Sequence, residues 1–231
     1  MGARDAASVL VASPRAALTG AHTAGVRLFE RRPPVHSVLL GRSRLAAGER
    51  QIEVASTIAV PANTPHTVLE LQDPFACVAY LDARHYRFED ARRLAETWRH
   101  FVPGRDDLRE AMGDVLRLPE RRVDARVLRA LAALETGTSS VSEAAAQVGL
   151  SESRLTHLTT EALGAPPRAW RAWLRLQRAL HETLFNGANL TQAAHCAGFA
   201  DSAHFTRTCK RLTGVRPAQM MPQTVYVAPD L

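Results

Sequence analysis

The sequence of 231 residues predicts an α+β protein in which a small β-barrel is followed by an all-α domain. Short runs rich in β-branched residues follow one another as far as about Asp82. From Phe88 onward, apolar residues recur with the spacing of a helix instead. A repeat of two similar segments in the C-terminal third indicates how the helical part is organised.

Six short runs in the first part are predicted strands, because they are β-branched or alternating and are separated by turn-forming sequences such as RRPP and PANTP. Short strands at close spacing are typical of a small barrel or sandwich. The runs, between residues 26 and 81, are VRLFE, VHSVLL, QIEVA, STIAV, HTVLEL and FACVAYL.

Three groups of apolar residues between residues 88 and 134 each predict one face of a helix. Pro103, Gly104 and Pro119 separate these helices. The groups are Phe88, Ala91, Ala95 and Trp98; Leu108, Met112, Val115 and Leu116; and Val123, Val127, Leu131 and Leu134.

Composition narrows the classes of function. The chain is 46% hydrophobic and 23% charged, as ordinary globular proteins are. Its net charge of +6 and pI near 10.0 favour a polyanionic partner without identifying one. Residues 141–220 hold nine basic and five acidic residues, so the largest positive excess lies in the repeat.

The three cysteines, Cys77, Cys196 and Cys209, have no metal-binding spacing, and we interpret each thiol as a small core residue in a reducing compartment. The N-terminus has no signal-peptide pattern, and no run approaches the ~20 apolar residues of a membrane span. We therefore expect a cytoplasmic protein that makes no membrane contact.

The repeat consists of GLSESRLTHLTTEALGAPP and GFADSAHFTRTCKRLTGVRP. Leu155 in the first copy corresponds to Phe205 in the second, and Gly164 corresponds to Gly214. Upstream, the correspondence shortens by one residue, so the second copy has one extra residue in its turn. Each copy predicts a helix-turn-helix, whose second helix ends at a C-cap glycine.

A short capped helix begins each copy. Ser140 with Glu143 predicts a capping box, and Asn189 with Gln192 predicts a similar pair. The turn between the two helices of a copy follows at Gly149 or at its counterpart in the second copy. Because a helix-turn-helix places its second helix in the major groove of DNA, we expect these two second helices to contact base pairs.

Candidate DNA-binding residues lie opposite the apolar side of each second helix. In the second copy, Arg207 can pair with a guanine edge through two hydrogen bonds, and Lys210 is suited to phosphate. The first copy offers Arg154 and polar side chains, so we expect less base discrimination from it. An ordinary solvent-exposed helix face explains any one of these residues equally well. The repetition of the polar pattern on both second helices favours DNA binding. The candidates are Ser153, Arg154, Thr156, His157, Thr160, Ser202, Ala203, Thr206, Arg207 and Lys210.

A long amphipathic helix beginning at Pro166 and Pro167 is predicted between the two copies. Successive major-groove segments on one side of B-DNA lie ~34 Å apart, so a rigid helix is suited to spacing the two second helices. Its arginines either contact backbone phosphate or keep the surface soluble. The apolar side carries Trp170, Trp173, Leu174 and Leu184, and the arginines are Arg168, Arg171, Arg175 and Arg178.

Residues 140–219 resemble the DNA-binding domain of the AraC family of bacterial transcriptional regulators, on the motifs VSEAAAQVGLSESRL, QRALHETL and TQAAHCAGFADSAHFTRTCKRLTGVRP. The resemblance implies seven helices in two helix-turn-helix units on adjacent major-groove segments. Thr159 and Cys209 stand where the family usually has phenylalanine, which implies looser packing behind both second helices. The base-contacting positions of the family fall on Ser153, Thr156, His157, Ser202, Ala203, Thr206 and Arg207.

The segment VPANTPHTV resembles the second cupin motif, with Asn63 in place of its glycine. Cupin-like barrels are common sensors in front of this DNA-binding domain. A metal enzyme would need a His-x-His pair and a carboxylate on an earlier strand, where the sequence offers only His36. We interpret His66 as a hydrogen-bonded turn histidine, and we predict no catalysis, no metal and no cofactor.

The predicted organisation is a cupin-like β sensor domain (1–84), a helical linker or dimerisation segment (85–136) and a DNA-binding domain with two helix-turn-helix motifs (137–222). In the middle segment, Trp98 and Phe101 are either dimer contacts or core residues.

The predicted function is a sequence-specific transcriptional regulator that binds double-stranded DNA and responds to a small-molecule effector through its N-terminal domain. A homodimer is expected, and RNA polymerase is a candidate partner. The alternatives are a small cupin-type metal enzyme with a helical tail and a non-specific architectural DNA binder. Bound metal with turnover would distinguish the first alternative, and competition with random DNA the second.

Overall fold

A computed structural model describes residues 9–13, 15–22, 30–47, 50–54, 56–71, 73, 75–100, 108–135, 139–220 and 224–227. Within these residues, eight strands precede nine helices and one strand follows them, which confirms the α+β class. Most of the predicted strand VRLFE lies outside the described residues, as do Phe101, Pro103 and Gly104.

The described strands form two sheets. A six-stranded sheet has the order β6-β3-β8-β2-β1-β9, and a three-stranded sheet has the order β5-β4-β7; within the described residues they do not close into a barrel. The strands are β1 (Val9–Ala12), β2 (Ala16–His22), β3 (His36–Leu40), β4 (Ser43–Ala47), β5 (Arg50–Val54), β6 (Thr57–Val60), β7 (Thr67–Leu71), β8 (Phe75–Leu81) and β9 (Thr224–Val227).

Five of the six predicted runs are confirmed as β3, β5, β6, β7 and β8. The strands β1, β2, β4 and β9 were not among those runs. Two of them, AALTGAH in β2 and SRLAA in β4, contain many alanine and polar residues and lack a β-branched pattern. These strands form because their neighbours pair with them: β2 lies between β1 and β8, and β4 lies between β5 and β7.

The C-terminal strand returns to the sheet that begins the chain. β9 pairs in parallel with β1, with Val9 opposite Thr224 and Ala12 opposite Val227. The segment that follows the helices therefore joins the edge of the six-stranded sheet through backbone pairing of β9 with β1.

The helices follow the predicted apolar faces, whose residues are buried except for Phe88, Ala95 and Val123, which are half-buried. The resemblance implied seven helices in the DNA-binding domain, and seven are present from α3 to α9. The helices are α1 (Phe88–Thr97), α2 (Leu108–Leu116), α3 (Ala125–Glu135), α4 (Val141–Gln147), α5 (Glu152–Leu163), α6 (Pro167–Phe185), α7 (Leu190–Cys196), α8 (Ser202–Thr213) and α9 (Pro217–Met220).

The first of these seven helices, α3, lies in the segment assigned to the linker. Val127, Leu131 and Leu134 of α3 belong to the same buried cluster as the two helix-turn-helix units. The division at residues 84 and 136 stays a prediction.

Three buried clusters make up the core. One joins the helix-turn-helix units to Val35, Tyr80 and Ala83 of the N-terminal part. A second packs the six-stranded sheet against α1 and α2, and a third, around Leu39 and Leu45, lies between the two sheets. The protein therefore does not separate into two independent cores.

Trp98 belongs to the second cluster. Its side chain is 2% exposed, and its indole N–H donates a hydrogen bond to Asp114 Oδ2 at 3.0 Å. Trp98 is therefore a core residue within this chain.

Among the three cysteines, Cys77 and Cys209 are buried as expected. Cys196 is exposed, so its assignment to the core was wrong, because it ends α7 on the side that faces solvent.

The predicted turn histidine His66 is confirmed as hydrogen-bonded. Its Nδ1 bonds to the carbonyl of Thr64 at 2.9 Å, and its Nε2 accepts from Arg31 Nε at 2.8 Å. Asn63, in the glycine position of the motif, has a φ of 59°, a left-handed conformation that asparagine tolerates well. Within the described residues, no three His, Cys, Asp or Glu side chains form a metal-binding group.

Two buried histidines are held in the neutral form. Burial and the nearby Arg31 lower the pKa of His66 from 6.5 to about 4. Burial and Arg121 lower the pKa of His36 to about 4 as well, and its Nδ1 accepts a hydrogen bond from the backbone N–H of Ala62 at 3.1 Å. Protonation would remove that acceptor and place a second charge beside an arginine.

We expect the free energy of unfolding to fall as the pH decreases from 6.5 towards 4, because the unfolded chain then binds protons at His36 and His66 that the folded chain does not. A tenfold change in an equilibrium constant is about 1.4 kcal/mol, so each histidine contributes on the order of 3 kcal/mol. Urea unfolding at each pH measures this dependence.

The His36→Gln variant should show a shallower pH dependence, because the amide can accept the Ala62 hydrogen bond without titrating. The His181→Gln variant, at an exposed position on α6, is the matched control and should retain the dependence of the unmodified protein. Equal pH dependence in both variants would contradict the role given to His36.

Candidate nucleic-acid interface

Both predicted capping boxes are present. Ser140 Oγ accepts from the N–H of Glu143 at 3.1 Å, and Glu143 Oε2 accepts from the N–H of Ser140 at 2.7 Å. Asn189 Oδ1 and Gln192 Oε1 make the same two bonds in the second copy, both at 3.0 Å. These bonds satisfy backbone donors that would otherwise be unpaired, and so fix where α4 and α7 begin.

The turns of the two copies close in the same way. Gly149 and Gly198 have φ values of 69° and 77°, a left-handed conformation that glycine adopts without steric cost. In each copy, the residue after the glycine donates its backbone N–H to an alanine carbonyl of the first helix at 2.9 Å. The second helices then begin at Glu152 and Ser202, and Ala200 is the extra residue in the second turn.

The second helices α5 and α8 are built alike. Leu155 and Phe205, which correspond in the repeat, are both 0% exposed. Ser151 Oγ caps α5 through the N–H of Arg154, and Asp201 Oδ1 caps α8 through the N–H of His204. Both helices end at a left-handed glycine, Gly164 or Gly214, as predicted.

Thr159 and Cys209, which stand where the family usually has phenylalanine, have small side chains that form hydrogen bonds. Thr159 is fully buried, and its hydroxyl donates to the carbonyl of Leu155 at 2.7 Å. Cys209 is fully buried on α8, and its Sγ donates to the carbonyl of Val215 at 3.4 Å. Burial raises the pKa of the Cys209 thiol to about 11, so this cysteine is a neutral packing residue.

None of the ten candidate DNA-binding residues is buried. His157 lies 3.5 Å from Glu161 on the next turn, and the Thr160 hydroxyl donates to its own helix at the carbonyl of Thr156. Ser153, Arg154, His157, Thr160, Ala203 and Arg207 are exposed, and Thr156, Ser202, Thr206 and Lys210 are half-buried.

The helix α6 joins the two units, and its predicted apolar side is confirmed. Trp170, Trp173 and Leu174 are buried, and Leu184 is half-buried. Pro166 is the N-cap, and Pro167 occupies the first helical position. Because Trp170 and Trp173 lie in one cluster with Leu155 and Phe205, α6 fixes both second helices to a common core.

A groove of about 400 Å³ connects the two second helices. It is bordered by Glu152 at the start of α5 and by His204, Thr208 and Arg211 on α8, and it runs along α6. The arginines of α6 are evident in the sequence, whereas this groove and its residues on α8 were not predicted from it. The i, i+4, i+7 spacing of residues 204, 208 and 211 was the available signal.

The N-terminal part contacts this domain through aromatic and charged side chains. The rings of Tyr80 and Trp173 lie 5.6 Å apart, and the guanidinium of Arg84 lies 5.7 Å from the centre of the Trp170 ring. The backbone N–H of Arg32 donates to the carbonyl of Arg211 at 3.0 Å. Residues distant in sequence make these contacts, so sequence periodicity gave no sign of them.

Comparisons with known proteins agree with this architecture. The model of a family described as a helix-turn-helix domain matches residues 144–223. Comparison with curated protein sequences found no significant match.

The solved structures similar to this chain include ToxT from Vibrio cholerae, which is 12% identical with a TM-score of 0.54, over 90% of this chain and 99% of that chain. An apo ToxT variant of the same species is 11% identical with a TM-score of 0.55, over 90% and 98%. Wild-type ToxT with a bound unsaturated fatty acid is 14% identical with a TM-score of 0.50, over 85% and 91%. At these identities the likeness shows a shared fold.

Residues 144–223 match a helix-turn-helix domain, and the chain as a whole shares the fold of ToxT. Its C-terminal region is an AraC-type helix-turn-helix domain, and the resemblance found in the sequence is confirmed there. The absence of catalysis in this chain stays a prediction. Among the described helices, none is long and apolar enough to span a membrane.

We expect Leu155→Ala to cost about 2–5 kcal/mol of stability and Phe205→Ala about 3–5 kcal/mol, because each leaves a cavity at a fully buried position. Chemical denaturation measures both values. Thr160→Ala, on the exposed side of α5, is the control and should change stability by less than about 0.5 kcal/mol. A Phe205→Ala variant as stable as Thr160→Ala would contradict the equivalence of the two copies.

Proposed function

We propose that the protein is a sequence-specific regulator that places α5 and α8 in successive major-groove segments of double-stranded DNA. This proposal rests on one observation, which is that the second helices α5 and α8 are built in the same way. Each has a fully buried apolar residue at the corresponding position and a solvent-accessible polar side, and both border one groove. A non-specific architectural binder would need only the positive charge, without this repeated geometry.

The two second helices offer different chemistry to DNA. Arg207 is exposed on α8 and can pair with both acceptors of a guanine edge. Lys210 lies one turn further and suits a phosphate. The side of α5 presents hydroxyls and His157, with Arg154 beside them. We infer that α8 discriminates bases more strongly than α5 does.

A cupin-type metal enzyme is less well supported. Both ring nitrogens of His66 are occupied by hydrogen bonds to Thr64 and Arg31, and His36 Nδ1 is occupied by the N–H of Ala62. His66 therefore has no free ring nitrogen to offer a metal, and one of the two ring nitrogens of His36 is already engaged.

We further propose that a small-molecule effector with a carboxylate binds at Arg31. This side chain is 2% exposed, and its Nη2 is buried with no hydrogen-bond partner among the described residues. Its neighbour His66 is neutral at physiological pH and does not compensate the charge. No ion pair between Arg31 and a carboxylate is found among the described residues, so the buried charge is not balanced there. A buried charge of this kind is costly unless an opposite charge is supplied.

The position of Arg31 supports a regulatory role for this ligand. Arg31 lies within reach of the Tyr80 hydroxyl, and Tyr80 packs on Trp173 of α6. The next residue, Arg32, bonds to the end of α8. A structure of ToxT holds an unsaturated fatty acid, which also carries a carboxylate. Homodimer formation and contact with RNA polymerase stay predictions.

We expect Arg207→Ala to weaken binding to the cognate site by about 1–3 kcal/mol and to relax the preference at one base position, because a bidentate contact to guanine is lost. Genome-wide mapping of bound fragments provides the cognate site, and binding titrations on single-base variants measure the preference. An equal loss on random DNA would assign Arg207 to phosphate instead.

Lys210→Ala is the companion variant. We expect it to weaken binding to cognate and random DNA by the same factor, because a phosphate contact carries no sequence information. A defect confined to particular bases would contradict that assignment.

We expect carboxylic acids to raise the unfolding temperature of the protein and to change its affinity for cognate DNA, with the methyl esters of the same acids inactive. A series of increasing chain length defines the size that fits. Arg31→Met should abolish the response to the acids, whereas Arg92→Met, at an exposed position on α1, should retain it. A response that survives in Arg31→Met would exclude Arg31 as the site.

A further inference from the structure

Two loops of the N-terminal part are rich in proline. Residues 31–35 lead into β3, and residues 61–66 connect β6 to β7; we call them together the paired loops. Because the ring of proline fixes one backbone dihedral, each loop has less conformational freedom than its length alone would allow. Their prolines are Pro33, Pro34, Pro61 and Pro65.

Hydrogen bonds join the two loops into one unit. The backbone groups of Arg31 and His66 exchange two hydrogen bonds, at 2.9 and 3.0 Å. Asn63 donates its backbone N–H to the carbonyl of Pro33 at 2.7 Å, and its own carbonyl accepts from Arg32 Nε at 2.9 Å. A displacement of one loop would therefore carry the other with it.

The paired loops contact the C-terminal ends of both second helices. At α5, Ala62 packs on the C-cap Gly164, where an added Cβ atom would lie 3.3 Å from the Cβ of Ala62. At α8, the backbone N–H of Arg32 donates to the carbonyl of Arg211 at 3.0 Å. This carbonyl lies in the last turn of α8, where helix carbonyls have no partner within the helix. One unit thus touches the same end of each second helix.

These contacts leave the DNA-facing sides of α5 and α8 accessible. A helix-turn-helix contacts base edges with the residues near the N-terminus of its second helix, whereas the paired loops lie at the opposite end. None of the ten candidate DNA-binding residues is buried. The contacts are therefore compatible with bound DNA.

Packing against α6 alone leaves the inclination of each second helix partly open. Within one class of helix packing, the observed crossing angles scatter by about 15–20°. A second contact at the end of a helix opposes such a tilt. Val35, which ends the first loop, is 1% exposed in the buried cluster that contains α6, so the paired loops are themselves anchored to that cluster.

We propose that the paired loops are a positioning element for DNA binding, which fixes the inclination of α5 relative to α8 so that both helices enter successive major-groove segments together. Ala62 positions α5, and the backbone of Arg32 positions α8. The proposal rests on the proposed function, because it takes both helices to bind one DNA duplex. It requires both contacts to be present in the DNA-bound protein.

The distance between the two second helices tests the proposal without DNA. Spin labels at Glu161→Cys on α5 and Ala203→Cys on α8 occupy exposed positions, and Cys196→Ser removes the exposed native thiol. The full chain with intact paired loops should give a narrow distribution of label distances.

Two variants disturb one contact each. Ala62→Leu places a larger side chain against Gly164, and Arg32→Pro removes the N–H that bonds to Arg211. Each should broaden or shift the distribution of label distances. Ala132→Leu, at an exposed position on α3, is the control and should leave it unchanged. Unchanged distances in both loop variants would overturn the proposal.

The preference for the spacing of the DNA site is a readout that a loss of stability does not move. Partial unfolding lowers the affinity for every site by the same factor, whereas a tilt of one helix changes the ratio between sites. One base pair inserted between the two halves of the cognate site should weaken binding of the unmodified protein about tenfold, as the loss of a base contact does. Ala62→Leu should reduce this ratio, and an unchanged ratio would contradict the role of Ala62.

A disulfide between Ala62→Cys and Gly164→Cys locks the contact in the Cys196→Ser background. The Cβ separation of 3.3 Å is close to the range of about 3.5–4.5 Å found in disulfides. The oxidised and reduced forms are the same chain, so any cost of the substitutions cancels between them. The oxidised form should bind cognate DNA and keep the spacing preference. Loss of binding on oxidation that a reductant restores would make the contact autoinhibitory and refute the proposal.

Failure of the proposed function has a different signature, in which the unmodified protein binds cognate and random DNA equally well. The label distances measured without DNA still decide in that case whether the paired loops position α5 and α8.

Discussion

The arrangement of this protein depends on one buried cluster centred on α6. Trp170 is fully buried there, and the cluster contains Leu155 and Phe205, the corresponding residues of the two second helices. Burial of large aromatic and aliphatic side chains is the dominant favourable contribution to folding, and close packing leaves little freedom for one helix to move alone. The spacing of α5 and α8 is therefore determined by how both pack against α6. The same cluster includes Tyr80 of β8, so the N-terminal sheet contributes to it directly.

This shared core gives a physical route by which the N-terminal part can influence DNA binding. Arg84 makes a bidentate ion pair with Asp82 and lies over the Trp170 ring, and Tyr80 contacts Trp173. A ligand that binds one packing of these side chains better than another shifts the population towards that packing by its difference in affinity. The pairing of β9 with β1 adds a second link, because it ties the chain beyond the DNA-binding domain to the same sheet. A change in the sheet would therefore reach the domain at α6 and at its C-terminal end.

The parts of the fold that sequence predicted are those set by local chemistry. A serine followed three residues later by glutamate satisfies the backbone at the start of a helix, and a glycine at the end permits a left-handed conformation, so the caps at Ser140 and Gly164 could be predicted residue by residue. The strands β2 and β4 could not, because AALTGAH and SRLAA carry no strand pattern and form strands only through their neighbours. The exposed position of Cys196 and the groove between the second helices likewise follow from how helices pack against one another. The sequence of β9, TVYV, carried a strand signal, but nothing local indicated its parallel partner 215 residues earlier.

The two helix-turn-helix units are alike in their buried sides and unlike in their charge, and this difference has a consequence for the DNA site. α8 carries Arg207, Lys210 and Arg211, whereas α5 carries Glu152 and Glu161 beside its single arginine. A carboxylate near the DNA backbone is repelled by phosphate, and Arg168 neutralises Glu152 through their ion pair. On the proposed function, the first unit would thus contribute mainly hydroxyl contacts and shape, while the second unit would supply most of the positive charge. One half of such a DNA site is read with strict base discrimination, and the other half tolerates base substitutions. The two halves of the site should therefore differ in sequence, even though the two units that bind them have similar buried sides.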